Sequence, residues 1–157
     1  MKNFRKVAAV LLIVAFVCAL AFTVVACNNV GDNTEKTVTV VVGEGEGQVV
    51  YADYKTTANS LAALLEELGQ LKENALSFSG NWSAYGVFVT QIGTLQQGEF
   101  YSPWIAVLTS DTAFQVAVED NYTVKRTYNN VELKSTSVGV SSVALSNGSI
   151  YMFVLVD

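Results

Sequence analysis

Four aromatic side chains lead the residues of this chain that could do chemistry. Trp82 and Tyr85 lie in "NWSAYG", and Tyr101 and Trp104 in "FYSPW". Flat ligands are held by aromatic and apolar walls with a few polar groups, so these four are candidate ligand-binding residues. Strand aromatics also fill cores and sheet faces, and the sequence leaves both uses open. Trp82 is expected to be exposed, because its neighbours are loop-forming residues. Catalytic candidates are scarcer. The chain has no histidine, which excludes Ser-His-Asp and Cys-His catalysis and imidazole-ligated metals. Glu66 and Glu67 are adjacent carboxylates, but neighbouring helix positions point about 100° apart. They do not converge as an acid/base pair and are expected to face water. Asp111, Glu119 and Asp120 form a similar case in a loop-rich stretch. "GEGEG" (43–47) precedes no helix and carries glutamates that repel phosphate. Calcium loops need more oxygen ligands at set spacing, so a hairpin turn is expected there. No catalytic residue, no metal and no resident cofactor are expected.

The two cysteines point to a membrane address rather than to a reaction. Lys2, Arg5 and Lys6 precede an apolar run that ends in "TVVAC" at Cys27, and polar "NNVGDNTEK" follows. A charged start, an apolar middle and small residues before a cut form a secretory signal. "VVAC" resembles the bacterial lipobox, which implies cleavage before Cys27 and lipid on its thiol. Two acyl chains suffice for stable anchoring, each buried methylene contributing about 0.8 kcal/mol. An uncleaved transmembrane helix is the other reading, since a span needs roughly 20 apolar residues. Either way the positive residues stay inside, and the rest of the chain is extracytoplasmic. Cys18 leaves with the signal, so the mature domain has no free thiol.

All fourteen acids but only six of the nine basic residues follow the signal. An acidic surface repels phosphate backbones, so nucleic acid is not an expected partner. The domain organisation is a signal peptide (1–26), a lipidated cysteine with a polar tether (27–36) and one folded domain (37–157), long enough for a core.

β-branched "TVTVVV" (Thr37–Val42) predicts a strand. "QVVYADY" (Gln48–Tyr54) predicts its hairpin partner across the glycine turn. Leu61, Leu64, Leu65 and Leu68 recur at helical spacing. Thr57 or Asn59 is the expected cap of that helix, and Gly69 its end. Further strands are predicted at Tyr85–Ile92, Tyr101–Thr109, Ala113–Val118 and Ser149–Val156. A hairpin is expected to turn at Asn129-Asn130, and another turn at Asn147-Gly148. Strands with one packed helix make an α+β domain.

Several of these segments together resemble a family of bacterial surface lipoprotein domains similar to the C-terminal domain of the cobalamin carriers transcobalamin and intrinsic factor. "NSLAALLEELGQL" resembles the family's helix and "YGVFVTQIG" its "YGLFVTSVNG" strand. "GEFYSPWIAVLTSD" resembles its tryptophan stretch, with Trp104 on the tryptophan, and "GVSSVALSNGSIYMFVLV" resembles its closing strand. The likeness covers most of 37–157. It departs at Thr109-Ser110-Asp111, where the family often has Asn-Gly, and in the intervening segment Thr112–Ser137. The resemblance implies a β-grasp-like mixed sheet with one main helix packed on it, after the N-terminal signal helix. It also implies a corrinoid as a ligand, held against Trp104 and Tyr101 with Tyr85 and Trp82 nearby. The expected function is a non-enzymatic binding module, anchored in the cell membrane through lipid on Cys27. The alternative is a structural or adhesion module that contacts another surface protein through a sheet edge or patch.

Overall fold

The computed structural model of the chain describes residues 34–157. The signal segment (1–26), Cys27 and the tether as far as residue 33 lie outside the described residues. Among the described residues no helix is long and apolar enough to cross a membrane.

The domain is α+β. Its first strand, β1 (Lys36–Val42), takes in the last residue assigned to the tether. It pairs antiparallel with β2 (Val49–Thr56), and the register slips between Val38 and Val40, opposite Asp53 with its φ of 48°. The glycine turn between the strands forms as expected, with Gly43, Gly45 and Gly47 all at positive φ.

Helix α1 (Leu61–Gly69) follows. Its cap is Ser60 rather than Thr57 or Asn59. Ser60 is the extended residue immediately before the first turn, and its hydroxyl accepts from the Ala63 N–H at 3.3 Å. Gly69 is the last helical residue and Gln70 the C-cap. The four leucines are all fully buried, each contributing about 1.5–3 kcal/mol by leaving water. Glu66 is exposed as expected, but Glu67 is not simply solvated. It flanks the leucine stripe and accepts from Tyr54 Oη at 3.0 Å and Thr56 Oγ1 at 2.5 Å. The carboxylate therefore ties the helix to β2.

The stretch before Tyr85 holds a strand, although the residues around Trp82 are loop-forming types. β3 (Phe78–Ser83), β4 (Gly86–Ile92) and β5 (Leu95–Gln96) form a small antiparallel sheet in that order. The remaining strands are β6 (Trp104–Thr109), β7 (Lys125–Tyr128), β8 (Val131–Ser135) and β9 (Ile150–Val156). They join the first hairpin in a six-stranded sheet ordered β2-β1-β9-β6-β8-β7. All its pairs are antiparallel except β1 with β9. Asn129 and Asn130, at φ 48° and 63°, make the β7–β8 turn, as two-residue hairpins require.

Ala113–Val118 does not form the expected strand. Only Gln115 makes a bridge, to Thr136, and Val118 is exposed. Asp111 Oδ1 instead accepts from the Ala113 N–H at 3.0 Å, curling the chain into a turn. The pairing stays this short because a turn precedes it and a bend follows it: Val116 N–H donates to the Ser135 carbonyl at 2.9 Å and Ser137 N–H to that of Phe114 at 2.8 Å, and local turns win on either side.

Two apolar clusters result. The larger lies between one face of the big sheet, α1 and β4, around Val38, Val40, Tyr151 and Phe153. The smaller joins Val41, Ala106, Leu108, Leu133, Met152 and Val154 on the other face. A flat sheet would separate β7 from β1 by four strand spacings, about 19 Å. Yet Arg126 Nε of β7 donates to Glu44 Oε1, just past β1, at 2.5 Å. The sheet must therefore coil strongly, as twisted sheets do, so that the β7–β8 hairpin closes over the second cluster.

Candidate functional site

The small sheet meets the large one between β4 and β6, and an open trough of about 520 Å³ lies there. Its volume falls within the roughly 300–1,000 Å³ of small-molecule sites. Three of the four aromatics singled out in the sequence border it: Trp82, Tyr101 and Trp104. Tyr85 does not. It sits in the turn before β4, 68% exposed, and its carbonyl accepts from Gly139 N–H at 2.8 Å. Trp82 is exposed as expected, but at the end of strand β3 rather than in a loop. It pairs with Val87 in register and also borders a shallow hollow beside Ala62, Ala63 and Glu66 of the helix. Trp82 thus stands on the rim between two concavities.

Two trough aromatics escaped the sequence reading. Phe88 lies in β4 between buried Val87 and Val89, and is 50% exposed. Strand alternation sends it to the opposite side from those valines. Three apolar residues in a row hid that. Tyr122 sits in the irregular segment before β7, where no periodicity speaks. Its placement comes from Asp120, whose Oδ1 accepts from Tyr122 N–H at 2.9 Å and from Thr123 Oγ1 at 3.0 Å.

The wall carrying Tyr101 is conformationally unusual. The strand expected from Tyr101 begins only at Trp104, and a single 3-10 turn (Glu99–Tyr101) precedes it. Phe100 and Tyr101 both lie in the left-handed region, at φ 55° and 63°. Bulky residues rarely go there, and each costs about 1–3 kcal/mol unless its surroundings hold it. Here Gly98 N–H donates to the Pro103 carbonyl at 2.8 Å, and Ser102 N–H to Glu99 O at 3.2 Å, locking the loop. A Cβ on Gly98 would collide with the Ser102 carbonyl oxygen, so the close return of the loop requires glycine there. The outcome is Tyr101 held at the rim, 75% exposed.

No charged side chain lines the trough. Its polar groups are Asn81, Ser83, Thr90 and Gln97, with the tyrosine hydroxyls. Of the acidic candidates, Asp120 places Tyr122 and lines the groove beside the trough, and the other two are engaged elsewhere. Asp111 caps Ala113 and accepts from Ser146 Oγ. Glu119 bridges Lys125 at 2.7 Å and Lys134 at 3.1 Å. The Lys125 ammonium, then that of Lys134, holds its carboxyl below the usual range. These acids share no common cleft. Among the described residues no group of three or more His, Cys, Asp or Glu is placed to hold a metal ion.

No family model matches the sequence, and no curated protein matches it. Among solved structures the chain is similar to a protein from Ruminococcus gnavus ATCC 29149, described as a "putative metal binding protein". The TM-score is 0.50 at 16% sequence identity, over 78% of this chain and 97% of that one. At that identity the likeness shows a shared α+β fold and carries nothing about ligands.

Proposed function

We propose that this chain is an extracytoplasmic, lipid-anchored, non-enzymatic binding module whose ligand lies in the aromatic trough. The observation that carries this is the convergence of Trp82, Phe88, Tyr101, Trp104 and Tyr122 on one uncharged concavity. Exposed aromatic clusters of this kind mark binding surfaces. A β-grasp arrangement is the finer reading of the fold. It is supported by the order hairpin, helix, later strands, and by the parallel docking of β9 beside β1. A corrinoid is the ligand suggested by the resemblance of the helix and tryptophan segments. The trough is open, so a macrocycle can lie across its rim against Trp104 and Tyr101. With no histidine in the chain, its cobalt would keep its own ligands.

The test is a titration of the full-length chain with cobalamin and cobinamide, followed by corrin absorbance. Saturable binding that is lost in Tyr101→Ala, a change at an exposed side chain, supports both ligand and site. Intact mass of the membrane-extracted protein tests the anchor: a signal still attached, or no added lipid mass, refutes it. A second reading, strand addition by a surface protein, is favoured by β2. This edge strand leaves Val49 and Val50 exposed, a template for another chain. Val50→Lys that abolished partner capture while sparing ligand binding would support it.

A further inference from the structure

Two further hollows border the trough and share lining residues with it. A groove of about 250 Å³ shares Phe88, Val89, Trp104, Ile105 and Tyr122 with it. On the other side a hollow of about 320 Å³ shares Asn81, Thr90, Gln97 and Tyr101. That second hollow is a shelf of amides and hydroxyls. Ser79, Gln91 and Gln96 complete it, and no charged side chain lines it. Gln91 and Gln96 face each other in register across β4 and β5. Among the described residues, the side-chain amides of Asn81, Gln91, Gln96 and Gln97 are tied to no other protein group. The domain is strongly acidic, so the uncharged track formed by trough and shelf is a local departure; the groove on the other side carries one acid, Asp120.

The geometry points to an extended, neutral oligosaccharide as the ligand of this track, a deepening that rests on the binding reading above. A primary amide offers two donors and an acceptor, and a hydroxyl offers one donor and accepts twice. Amides therefore match a row of sugar hydroxyls without needing charge. Phosphate or carboxylate ligands would call for arginine or lysine, and neither lines the trough or the shelf. A pyranose ring also has a face of C–H bonds, carrying partial positive charge, which suits the negative face of an aromatic ring. Trp104, Tyr101 and Phe88 supply such surfaces, and the amide shelf continues the track beyond them. A compact ligand would fill the trough alone. A trough continued by an amide shelf fits a chain of linked rings. Tyr101 belongs to both trough and shelf, so it stands where stacking hands over to hydrogen bonding, which gives its left-handed backbone a use.

The experiment immobilises the full-length chain in a zwitterionic detergent free of sugar headgroups. Cellohexaose, chitohexaose, maltohexaose and mannohexaose are passed over it, with oligogalacturonate and oligochitosan as charged controls and cobinamide as the corrinoid arm. The expected result is saturable binding of at least one neutral hexamer, little changed by salt, since no ion pair is involved. Tyr101→Ala should weaken it about tenfold, the size of one lost stacking contact. The double change Gln91→Ala/Gln96→Ala should weaken it roughly tenfold through lost hydrogen bonds. These side chains are exposed, so the variants keep the fold, unlike a change at half-buried Trp104. Preference for a charged oligosaccharide, or binding untouched by both variants, overturns the inference. Cobinamide binding without any neutral hexamer overturns it too and leaves the binding reading standing. Binding of neither ligand overturns both.

Discussion

The helix interface and the trough are built from similar materials and finished differently. Beneath α1 four leucines are sealed from water, and the nearby polar groups are paired. Tyr54 and Thr56 donate to Glu67, and Tyr51 Oη donates to the Asn74 carbonyl at 2.5 Å. In the trough the aromatics stay half open and the amides face water. A sealed, satisfied interface holds a fold together, because buried polar groups without partners are costly. An open, unsatisfied one leaves its interactions for a ligand. On the binding function proposed above, the two regions divide stability from recognition, and mutations should separate along the same line.

The largest expected effect tests that division directly. Leu64→Ala should cost about 2–5 kcal/mol in urea unfolding, as buried leucine truncations do. Tyr101→Ala should stay within about 0.5 kcal/mol, as exposed substitutions do, while weakening ligand binding. Comparable losses of stability in the two variants would make the trough part of the core and erase the contrast.

Next comes Glu67→Ala. It removes the acceptor for two hydroxyls, and should cost about 1–3 kcal/mol. Glu66→Ala, one residue earlier and exposed, should change stability by less than about 0.5 kcal/mol. Equal effects would mean that the helix is held by its leucines alone. This pair also shows how far sequence reasoning reaches. The leucine stripe, the Asn129-Asn130 turn and the Asn147-Gly148 turn are written in local spacing and backbone preference, and they form as expected. Glu67 looked solvated because its partners, Tyr54 and Thr56, lie on another element.

The trough was half legible for the same reason. Trp82, Tyr101 and Trp104 stand out by residue type. Phe88 and Tyr122 join them only through the meeting of two sheets and the turn at Asp120. Strand β3, "FSGNWS", is polar and largely exposed, and owes its form to pairing with β4. Ala113–Val118 failed in the opposite sense. It has the alternation, but turns limit its pairing with the chain at Ser135–Ser137 to a single bridge at Gln115, and strand propensity depends on context.

A pH experiment sharpens the sealed side. Burial raises the phenol of Tyr151 above its ordinary value of 10.0, and burial, chiefly, raises those of Tyr54 and Tyr51. An acid whose folded value is raised stays neutral while the unfolded chain ionises. The stability these groups contribute is complete below pH 10 and is lost above it, toward the folded values. Denaturant midpoints should therefore fall with alkaline pH. Tyr151→Phe, which cannot ionise, should flatten that fall. An unchanged slope would place the sensitivity in Tyr51 and Tyr54, beside the helix.

The smallest effect belongs to Glu119 and its two lysines. The direction is opposite: the carboxyl is held below its ordinary 4.5 by Lys125 and Lys134. Stability from such a group is present above that value and is lost as pH falls through the folded one. The cluster is solvent-exposed at Glu119, and exposed pairs are screened by water and salt. A carboxyl titration by NMR should give Glu119 a midpoint below 4.5, rising in high salt, while Glu119→Gln leaves the denaturant midpoint unchanged. The position of the cluster makes a different result informative. Lys125 and Lys134 sit opposite each other on β7 and β8, the hairpin that closes the second apolar cluster. If Glu119→Gln lowered the midpoint as much as Glu67→Ala, an exposed carboxylate would be pinning that hairpin. Sealing would then no longer be what separates the structural parts of this domain from the proposed binding surface.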